Sequence, residues 1–426
     1  MNITFLHQYY NNPSMSGGLR TYEFAKYLVK IGHKVNVITS YREKNIKKYK
    51  NINHKKIKWH LTYEDGIKVH WLHNYYSNHM TFFQRLKSFV RFAYFSAQKA
   101  SNIKTDIIFA TSTPLTIAIP AVYASRKHKV PMIFEVRDLW PQIPIALKIL
   151  KNPLLRYVAN KLENWAYDNA SSIITLSPDM KKGIVSKKIN PKIIAVIPNL
   201  SNLNDFKYNK KIELNFRKNH QWLMQDPLLL YAGSFGKVNN LEYVINLAKS
   251  LKKINSKIKI LLIGEGKEKE SLIISAKKHN LFEKNLFFEK SFSRKIIKEY
   301  FMSATMCANF VINVRETWAN SANKFFDTLA AGKPILLNHG GWMKDLISHH
   351  KCGICVYGMP PHIAAEKLNY FMLNKKWLKI TGNNSLKLAT KFFDQNKLSK
   401  QFAEVINLTK NKKEDMIEKI APGIYY

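Results

Sequence analysis

The stretch that decides the fold is ITFLHQYYNNPSMSGGLRTYEFAKYLVKIGHKVNVIT, residues 3–39. Its apolar start predicts a strand, a polar loop follows and ends at Gly17 and Gly18, and residues 19–31 have the periodicity of an amphipathic helix. A second apolar run then predicts another strand. In a doubly wound α/β fold this order places the glycine loop beyond the carboxyl end of a strand, where ligands bind. The sequence therefore predicts an α/β domain with a ligand cleft at this loop.

The alternation of strands and helices continues through most of the chain. Between residues 201 and 226 it gives way to Asn, Lys and Asp, so we place a domain boundary there. We expect two Rossmann-like domains facing one another across a cleft, at residues 1–200 and 201–410, and a terminal helix and tail at 411–426. The further strands are predicted at 107–110, 132–136, 172–176, 193–197, 228–232, 257–263, 286–289, 306–312 and 334–337.

The composition is that of a globular protein with an unusual charge. Of the 426 residues 46% are hydrophobic, and the formal net charge is +39. Such a surface attracts polyanions, whether nucleic acid, anionic lipid or a phosphorylated substrate. Three cysteines and no secretory signal predict a reducing compartment. The pair Cys352 and Cys355 has redox spacing, but without a second pair it favours packing within a strand.

Two neighbouring segments concentrate the positive charge. Residues 44–68 are rich in lysine and predict a basic surface insertion. Residues 82–95 mix aromatic side chains with Arg and Lys over a helix length, as interfacial helices do. A core helix whose cations reach the surface along their aliphatic stems would show the same pattern. With the basic insertion beside it, the segment favours an anionic membrane surface as a partner.

Four motifs in order resemble the family 4 glycosyltransferases of the GT-B fold. They are LHQYYNNPSMSGGLRTYEFAKYLVKIGHKVNVITS, FEVRDLWPQ, VIPN and NKFFDTLAAGKPIL, which begin at residues 6, 134, 196 and 323. The segment YAGSFGKVNNLEYVI, from residue 231, resembles the branch that adds amino sugars in O-antigen, capsule or lipid-linked glycan assembly.

The resemblance implies a division of labour between the two domains. The first would bind a polyprenyl-diphosphate-linked or glycan acceptor, and the second a nucleotide sugar, most consistently a UDP-sugar. It also implies retention of the anomeric configuration without a metal, and peripheral association with the inner, cytoplasmic face of the cell membrane. We find no Asp-x-Asp motif and no His/Cys cluster with ligand spacing, so no metal and no other cofactor is expected.

The glycine turns of the second domain are candidate donor contacts. Gly233, Ser234 and Gly236 follow a strand and precede a helix, so their backbone amides suit a phosphate. Many relatives carry Arg in place of Ser234 and Lys in place of Asn239, and this chain carries neither. Lys237 could compensate, or could be a solvated loop lysine. Gly264 and Glu265 resemble the family's turn near the base, although a bare turn would look the same.

The motif NKFFDTLAAGKP contains the charged residues that, as the resemblance implies, would contact the nucleotide-sugar donor. Lys324 would act on the diphosphate as a catalytic group, and Asp327, the second carboxylate of the family's E-x7-E motif, would bind the ribose. Their spacing of three residues places them on one helix face, where an ordinary surface salt bridge is the alternative. Asn323 and the loop glycines Gly17 and Gly18 complete the predicted donor site. The first carboxylate of the motif falls on Ala319, which leaves the sugar contact unassigned.

In the first domain, Arg137 and Asp138 end the strand in EVRDLWP, where many relatives carry His-Asp. Arg137 would stabilise a phosphate or acceptor diphosphate, and Asp138 would orient it or the sugar, so both are candidate catalytic residues. A structural ion pair between them is the alternative. Glu135 is expected to be buried or paired rather than to act as a base.

Three other functions compete with sugar transfer. A UDP-sugar epimerase or hydrolase would share the fold and act on the donor alone. A basic nucleic-acid-binding protein would explain the charge but not the donor motifs, and no nucleic-acid-binding signature is present, so nucleic acid is not an expected partner. A dinucleotide oxidoreductase would need a Gly-x-Gly-x-x-Gly turn after the first strand, which is missing.

Overall fold

The structure is a computed structural model that describes residues 1–41, 59–76 and 80–425. The chain divides into two compact units, each of which contains a parallel sheet with helices on its faces. The first unit consists of Met1–Asn12, Leu19–Pro198 and Asn396–Ile424, and the second of Pro13–Gly18, Asn199–Gln395 and Tyr425–Tyr426.

The first unit is built on an eight-stranded sheet with the order β3-β4-β2-β1-β5-β6-β7-β8. Among these strands the edge strand β3 alone runs antiparallel to its neighbour. The strands are β1 (Asn2–Leu6), β2 (Lys34–Ser40), β3 (Trp59–Glu64), β4 (Ile67–Leu72), β5 (Ile107–Thr111), β6 (Met132–Val136), β7 (Ser172–Thr175) and β8 (Ile194–Val196). The helices are α1 (Arg20–Lys30), α2 (Phe82–Ala100), α3 (Ala118–His128), α4 (Gln142–Ala146), α5 (Pro153–Asp168) and α6 (Pro178–Val185), and two further helices follow at the end of the chain.

Both faces of this sheet are covered, as a parallel sheet requires. Alternate residues of the central strands, such as Ile108 and Phe134, form one core with the inner faces of α2, α3 and α5. Residues of opposite orientation, such as Phe5 and Phe109, face the other layer. The first unit therefore has three layers, with helices on both faces of the sheet. The carboxyl ends of the parallel strands β1, β5 and β6 lie at the same edge of this sheet, where a functional site can form.

The second unit repeats the plan with six parallel strands in the order β11-β10-β9-β12-β13-β14. The strands are β9 (Leu228–Ala232), β10 (Lys259–Ile263), β11 (Leu286–Glu289), β12 (Met306–Asn309), β13 (Ile335–Leu337) and β14 (Gly353–Cys355). The helices are α7 (Lys210–Asn219), α8 (Leu241–Lys253), α9 (Lys269–Lys278), α10 (Arg294–Ser303), α11 (Asn323–Ala330), α12 (Trp342–His349), α13 (Pro361–Leu373) and α14 (Lys375–Leu388).

The predicted class, two parallel-sheet Rossmann-like domains of the GT-B type, is confirmed. The predicted basic insertion at residues 44–68 is wrong in its second half, because 59–64 form β3 and pair with β4, a strand that the sequence analysis also missed. Its first half, 44–58, lies outside the described residues. The strand predicted at 306–312 is shorter and ends at Asn309. Cys352 directly precedes the short strand β14, Cys355 is its last residue, and both are free thiols.

The end of the chain corrects the predicted boundaries of 201–410 and 411–426. Helix α15 (Gln395–Lys410) packs almost entirely with the first unit, where Phe402 stacks on Phe24 at 4.2 Å between ring centroids and meets Phe5 and Phe109 edge-on. The short helix α16 (Ile417–Ile420) follows, and the backbone of Val196 in β8 donates to the carbonyl of Ala421. The return to the first unit depends on long-range aromatic packing, which local sequence patterns do not reveal.

No helix in the described ranges is both long enough and apolar enough to cross a bilayer.

We predict that Phe402→Ala lowers the free energy of unfolding of the first unit by about 3–5 kcal/mol, because it empties a fully buried aromatic site. Urea denaturation followed by fluorescence measures the change. Lys400→Ala, on the exposed side of the same helix, is the control and should change stability by less than about 0.5 kcal/mol. Equal stability of the two variants would show that α15 does not complete the first core.

Candidate functional site

The carboxyl ends of the strands in the second unit gather around Lys324. Helix α11 begins at Asn323, so Lys324 lies in its first turn, after the loop that leaves β12. An added Cβ on Gly233, which follows β9, would lie 2.7 Å from Lys324 Nζ. The glycine therefore allows the ammonium to approach the turn closely. The sequence prediction that the 233–236 turn and Lys324 belong together is consistent with this placement.

The ammonium of Lys324 is held by neutral groups. It lies 4.0 Å from the centroid of the Tyr231 ring and 3.5 Å from Asn239 Oδ1. No Asp or Glu of the described part of the chain lies within ion-pairing distance of it. Removal from water, uncompensated by a carboxylate, lowers the pKa of Lys324 to about 7. The site therefore offers a cation that lacks its own counter-charge and would gain from an anionic ligand.

The side chain of Asn239 holds the 233–236 turn in place, at a position where the sequence resemblance led us to expect a cation. Its Nδ2 donates to both the backbone oxygen and Oγ of Ser234, each at 3.0 Å, while its Oδ1 faces Lys324. Ser234 and Lys237, in the next turn, both remain accessible to solvent. The neutral Ser234 and Asn239 thus shape the turn, and positive charge comes from Lys324.

The prediction that the amides of the 233–236 turn bind phosphate needs correction. The N–H of Gly233 donates to Ile263 O, and that of Phe235 donates to Glu265 O, both at 2.9 Å. The predicted helix also begins later, at Leu241, after a short 3₁₀ turn. Two amides of the turn are therefore used to attach it to the neighbouring loop and are not available to a ligand.

The turn at Gly264 and Glu265 is the partner in that attachment. A Cβ on Gly264 would lie 1.8 Å from Gly233 O, and one on Gly266 would lie 2.2 Å from Phe235 O. Glu265 forms an ion pair with Lys269 at 3.2 Å. Both glycines are thus required by close packing of two backbones. The 264–266 turn therefore lies against the 233–236 turn, and its predicted contact with the base of the nucleotide stays a prediction.

Asp327 is bound by a residue that the sequence analysis did not select. Both terminal nitrogens of the Arg294 guanidinium donate to the Asp327 carboxylate, at 2.6 Å each, and Arg294 also lies over the Phe206 ring at 4.6 Å. The predicted alternative, a salt bridge between Lys324 and Asp327, does not form, because each side chain has its own partners. Arg294 begins α10 shortly after the carboxyl end of β11. This position, at the start of a helix that follows a strand, was the sequence signal that could have identified Arg294 as a candidate site residue.

The loop with Gly17 and Gly18 belongs to the second unit, although it lies near the amino terminus. Gly18 meets Asn323 so closely that a Cβ would lie 2.4 Å from Asn323 Nδ2. Gly17 has a φ of +120°, which other residues rarely adopt. Two predicted donor residues, Gly18 and Asn323, are thereby in contact, and Asn323 directly precedes Lys324 at the start of α11.

A second missed residue near Lys324 is His339. It is fully buried after β13, and its Nδ1 lies 2.8 Å from Gly340 O. Burial, assisted by the charge of Lys324, lowers the pKa of His339 to about 4. The imidazole is therefore neutral at physiological pH and leaves Lys324 as the titrating group of this cluster.

Arg137 and Asp138 lie at the carboxyl end of β6 in the first unit. Arg137 Nη1 is 3.3 Å from His7 Nε2, and its backbone N–H donates to Ser112 Oγ at 3.1 Å. Within the described ranges the two residues form no ion pair with one another, and their proposed catalytic roles stay a prediction. Burial raises the pKa of Asp138 to about 6, although the charge of Arg137 opposes the shift.

Glu135, in contrast, is buried and paired, as expected. It forms an ion pair with Arg20 at 2.8 Å and accepts a hydrogen bond from Thr111 Oγ1. Arg20 also donates to the carbonyls of Ile197 and Pro198. This network connects α1, β6 and the end of β8, and its role is structural.

Among the described residues, no three His, Cys, Asp or Glu side chains lie close enough together to hold a metal ion.

Two family models match the chain and together span most of it. Residues 17–204 match glycosyltransferase family 4, and residues 213–388 match glycosyl transferases group 1. The chain belongs to glycosyltransferase family 4. It is an enzyme of that class, and the recognition made from the four sequence motifs is confirmed. No curated protein matches its sequence.

Several solved structures have a similar fold over nearly the whole chain. HepE from Anabaena in complex with UDP-glucose has a TM-score of 0.72 at 16% identity, covering 96% of this chain and 99% of that one. Sucrose-phosphate synthase from Thermosynechococcus elongatus has a TM-score of 0.75 at 14% identity, covering 95% and 98%. WaaG, a glycosyltransferase involved in lipopolysaccharide biosynthesis, has a TM-score of 0.67 at 15% identity, covering 95% and 99%. At these identities the likeness establishes the fold.

We predict that UDP binding weakens as pH rises above 7. A diphosphate beside Lys324 raises the pKa of its ammonium, so binding above pH 7 takes up a proton. From pH 7.0 to 8.5 the association constant should fall about tenfold, since one proton is taken up per ligand. The terminal phosphate of UDP, whose second pKa is near 6, is ionised throughout this range.

Isothermal titration calorimetry measures this dependence directly. Lys324→Arg is the control, because its guanidinium stays protonated and should give an affinity that hardly changes with pH. A wild-type affinity that is equally flat would show that Lys324 does not meet the diphosphate.

Proposed function

We propose that the enzyme transfers a sugar, of the N-acetylated amino-sugar class, from a UDP-sugar to a polyprenyl-diphosphate-linked or glycan acceptor, with retention of configuration and without a metal. The bond between the anomeric carbon and the diphosphate breaks, and the acceptor oxygen bonds to that carbon. The acceptor proton leaves with the departing phosphate oxygen. UDP carries away the negative charge.

The observation that carries the proposal is the unpaired cation at the strand ends of the second unit. Negative charge grows on the diphosphate during the reaction, and a preorganised donor stabilises such charge most when it is shielded from water. Lys324 meets this description, since neutral groups hold its ammonium in place while burial lowers its pKa to about 7. Asn323, the neighbour of Lys324 in the chain, lies against Gly18 of the loop at 17–18.

The carboxylate of Asp327 supplies the proposed ribose contact. Arg294 holds both oxygens in a fork, which fixes the plane of the carboxylate and leaves each oxygen further acceptor capacity. A ribose hydroxyl can donate to that capacity. In this arrangement Arg294 is a positioning residue and Asp327 is the group that touches the donor.

The strand end of the first unit is the proposed acceptor site. Arg137 carries no carboxylate partner among the described residues and would bind an acceptor phosphate. Asp138, with its raised pKa of about 6, would accept a hydrogen bond from an acceptor hydroxyl. A lipid-linked acceptor places the enzyme at the inner, cytoplasmic face of the membrane. The outward side of α2 supports that location, because Phe83, Val90 and Tyr94 are exposed there beside Arg91.

Release of UDP tests the proposed reaction. We expect UDP to be released from UDP-N-acetylglucosamine or UDP-N-acetylgalactosamine at least about tenfold faster with a polyprenyl-diphosphate-linked saccharide than without it. Folded Lys324→Ala, checked by circular dichroism, should release little. Fast UDP release without acceptor would identify a hydrolase, and conversion of the donor to its 2-epimer would identify an epimerase.

A further inference from the structure

An apolar surface covers the outside of one helical layer in the first unit. Helices α2, α3 and α5 pack their inner faces on the same core, and α3 lies between the other two. Their outer faces therefore point to the same side of the sheet. We call these outer faces, with the loop residue Ile149, the three-helix face.

Helix α5 provides the most exposed apolar residues of this face. Leu154, Tyr157 and Val158 are 68%, 60% and 53% exposed, and Ile149, just before the helix, is 62% exposed. The helical positions are spaced by three and four residues, so they share one side of α5. On α3, Ile119 and Tyr123 are exposed with the same spacing. Exposed apolar groups in such a cluster mark an interaction surface, whereas isolated ones do not.

The charges around these apolar residues are mostly positive. Neither α2 nor α3 contains an acidic residue. In α5, Glu163 is buried and paired with Lys187 at 2.6 Å, while the exposed Asp168 is the last residue, at the end of the helix opposite Leu154. The cations that are exposed on or beside the three helices include Lys87, Arg91, Arg126, Lys127, Lys129, Lys148, Lys151 and Lys161.

Exposed apolar side chains whose neighbouring charges are mostly cations match a bilayer surface that carries anionic headgroups. The apolar groups enter the boundary between headgroups and acyl chains, and the cations meet phosphates. The composition of the three-helix face therefore favours lipid.

We infer that α5 and the preceding residue Ile149 form a second membrane-inserting element beside α2, so that the three-helix face docks on anionic lipid. This inference rests on the proposed function, which gives the enzyme a lipid-linked acceptor, and extends it by naming the surface. Leu154 and Val158 enter the acyl boundary, while Lys148 and Lys161 meet headgroup phosphates. Each such cation strengthens binding about fivefold.

Flotation of the full chain with vesicles tests the inference. The vesicles contain phosphatidylethanolamine and phosphatidylglycerol at about 7:3, a composition that supplies anionic headgroups, and neutral phosphatidylcholine vesicles are the comparison. The double variant L154S/V158S should bind the anionic vesicles about tenfold or more weakly, since two apolar side chains are lost from the inserted surface. The matched control is L214S/I274S in the second unit, whose side chains are 56% and 67% exposed. It should bind like wild type.

Three results would overturn the inference. L154S/V158S could float as well as wild type, or wild type could bind neutral and anionic vesicles equally. Alternatively, sedimentation could show a wild-type dimer that L154S/V158S breaks without a change in vesicle binding, which would make the face an interface between copies. UDP binding by thermal shift is measured on the same proteins. If none binds UDP, the proposed donor is wrong while the vesicle result stands by itself.

Discussion

The candidate site in the second unit depends on one constraint. The ammonium group of Lys324 lies at the strand ends, and none of the described carboxylates lies beside it. A desolvated charge is unfavourable unless dipoles or a ligand compensate it. Here the Tyr231 ring and Asn239 Oδ1 provide partial compensation, and the pKa of Lys324 falls to about 7. The neighbouring glycines serve the same arrangement. Because Gly18 and Gly233 have no side chain, they leave room for the side chains of Asn323 and Lys324.

The residues that differ from the expected family pattern form contacts with other residues of the second unit. Ser234 and Asn239 stand where the sequence resemblance led us to expect cations, and these neutral residues hydrogen-bond to one another. The carboxylate at Asp327 is neutralised by Arg294, so the pair adds no net negative charge to this part of the second unit. In the proposed reaction, the charge of the leaving group would therefore be met mainly by Lys324.

Much of the fold was predictable because its signals are local. Buried parallel strands are continuous apolar runs, and β6, β9 and β11 were predicted with their observed bounds. The edge strand β3 was missed since it lies in a polar, lysine-rich region. The motif was enough to predict that Asn323 and Lys324 lie on one helix with Asp327, whereas their contacts with the donor stay a prediction. The contact of Arg294 with Asp327 and the packing of Phe402 in the first core join distant segments, so both pairings appear only in the structure.

The central claim is that Lys324 stabilises the leaving diphosphate, and steady-state kinetics of Lys324→Ala with saturating UDP-sugar and acceptor tests it most directly. Removal of one preorganised donor to a developing anion lowers kcat by roughly 100- to 1,000-fold, and we predict a loss of that size in a variant that remains folded. Lys324→Arg should retain more activity because it keeps the charge. A folded Lys324→Ala enzyme with wild-type kcat would contradict the account.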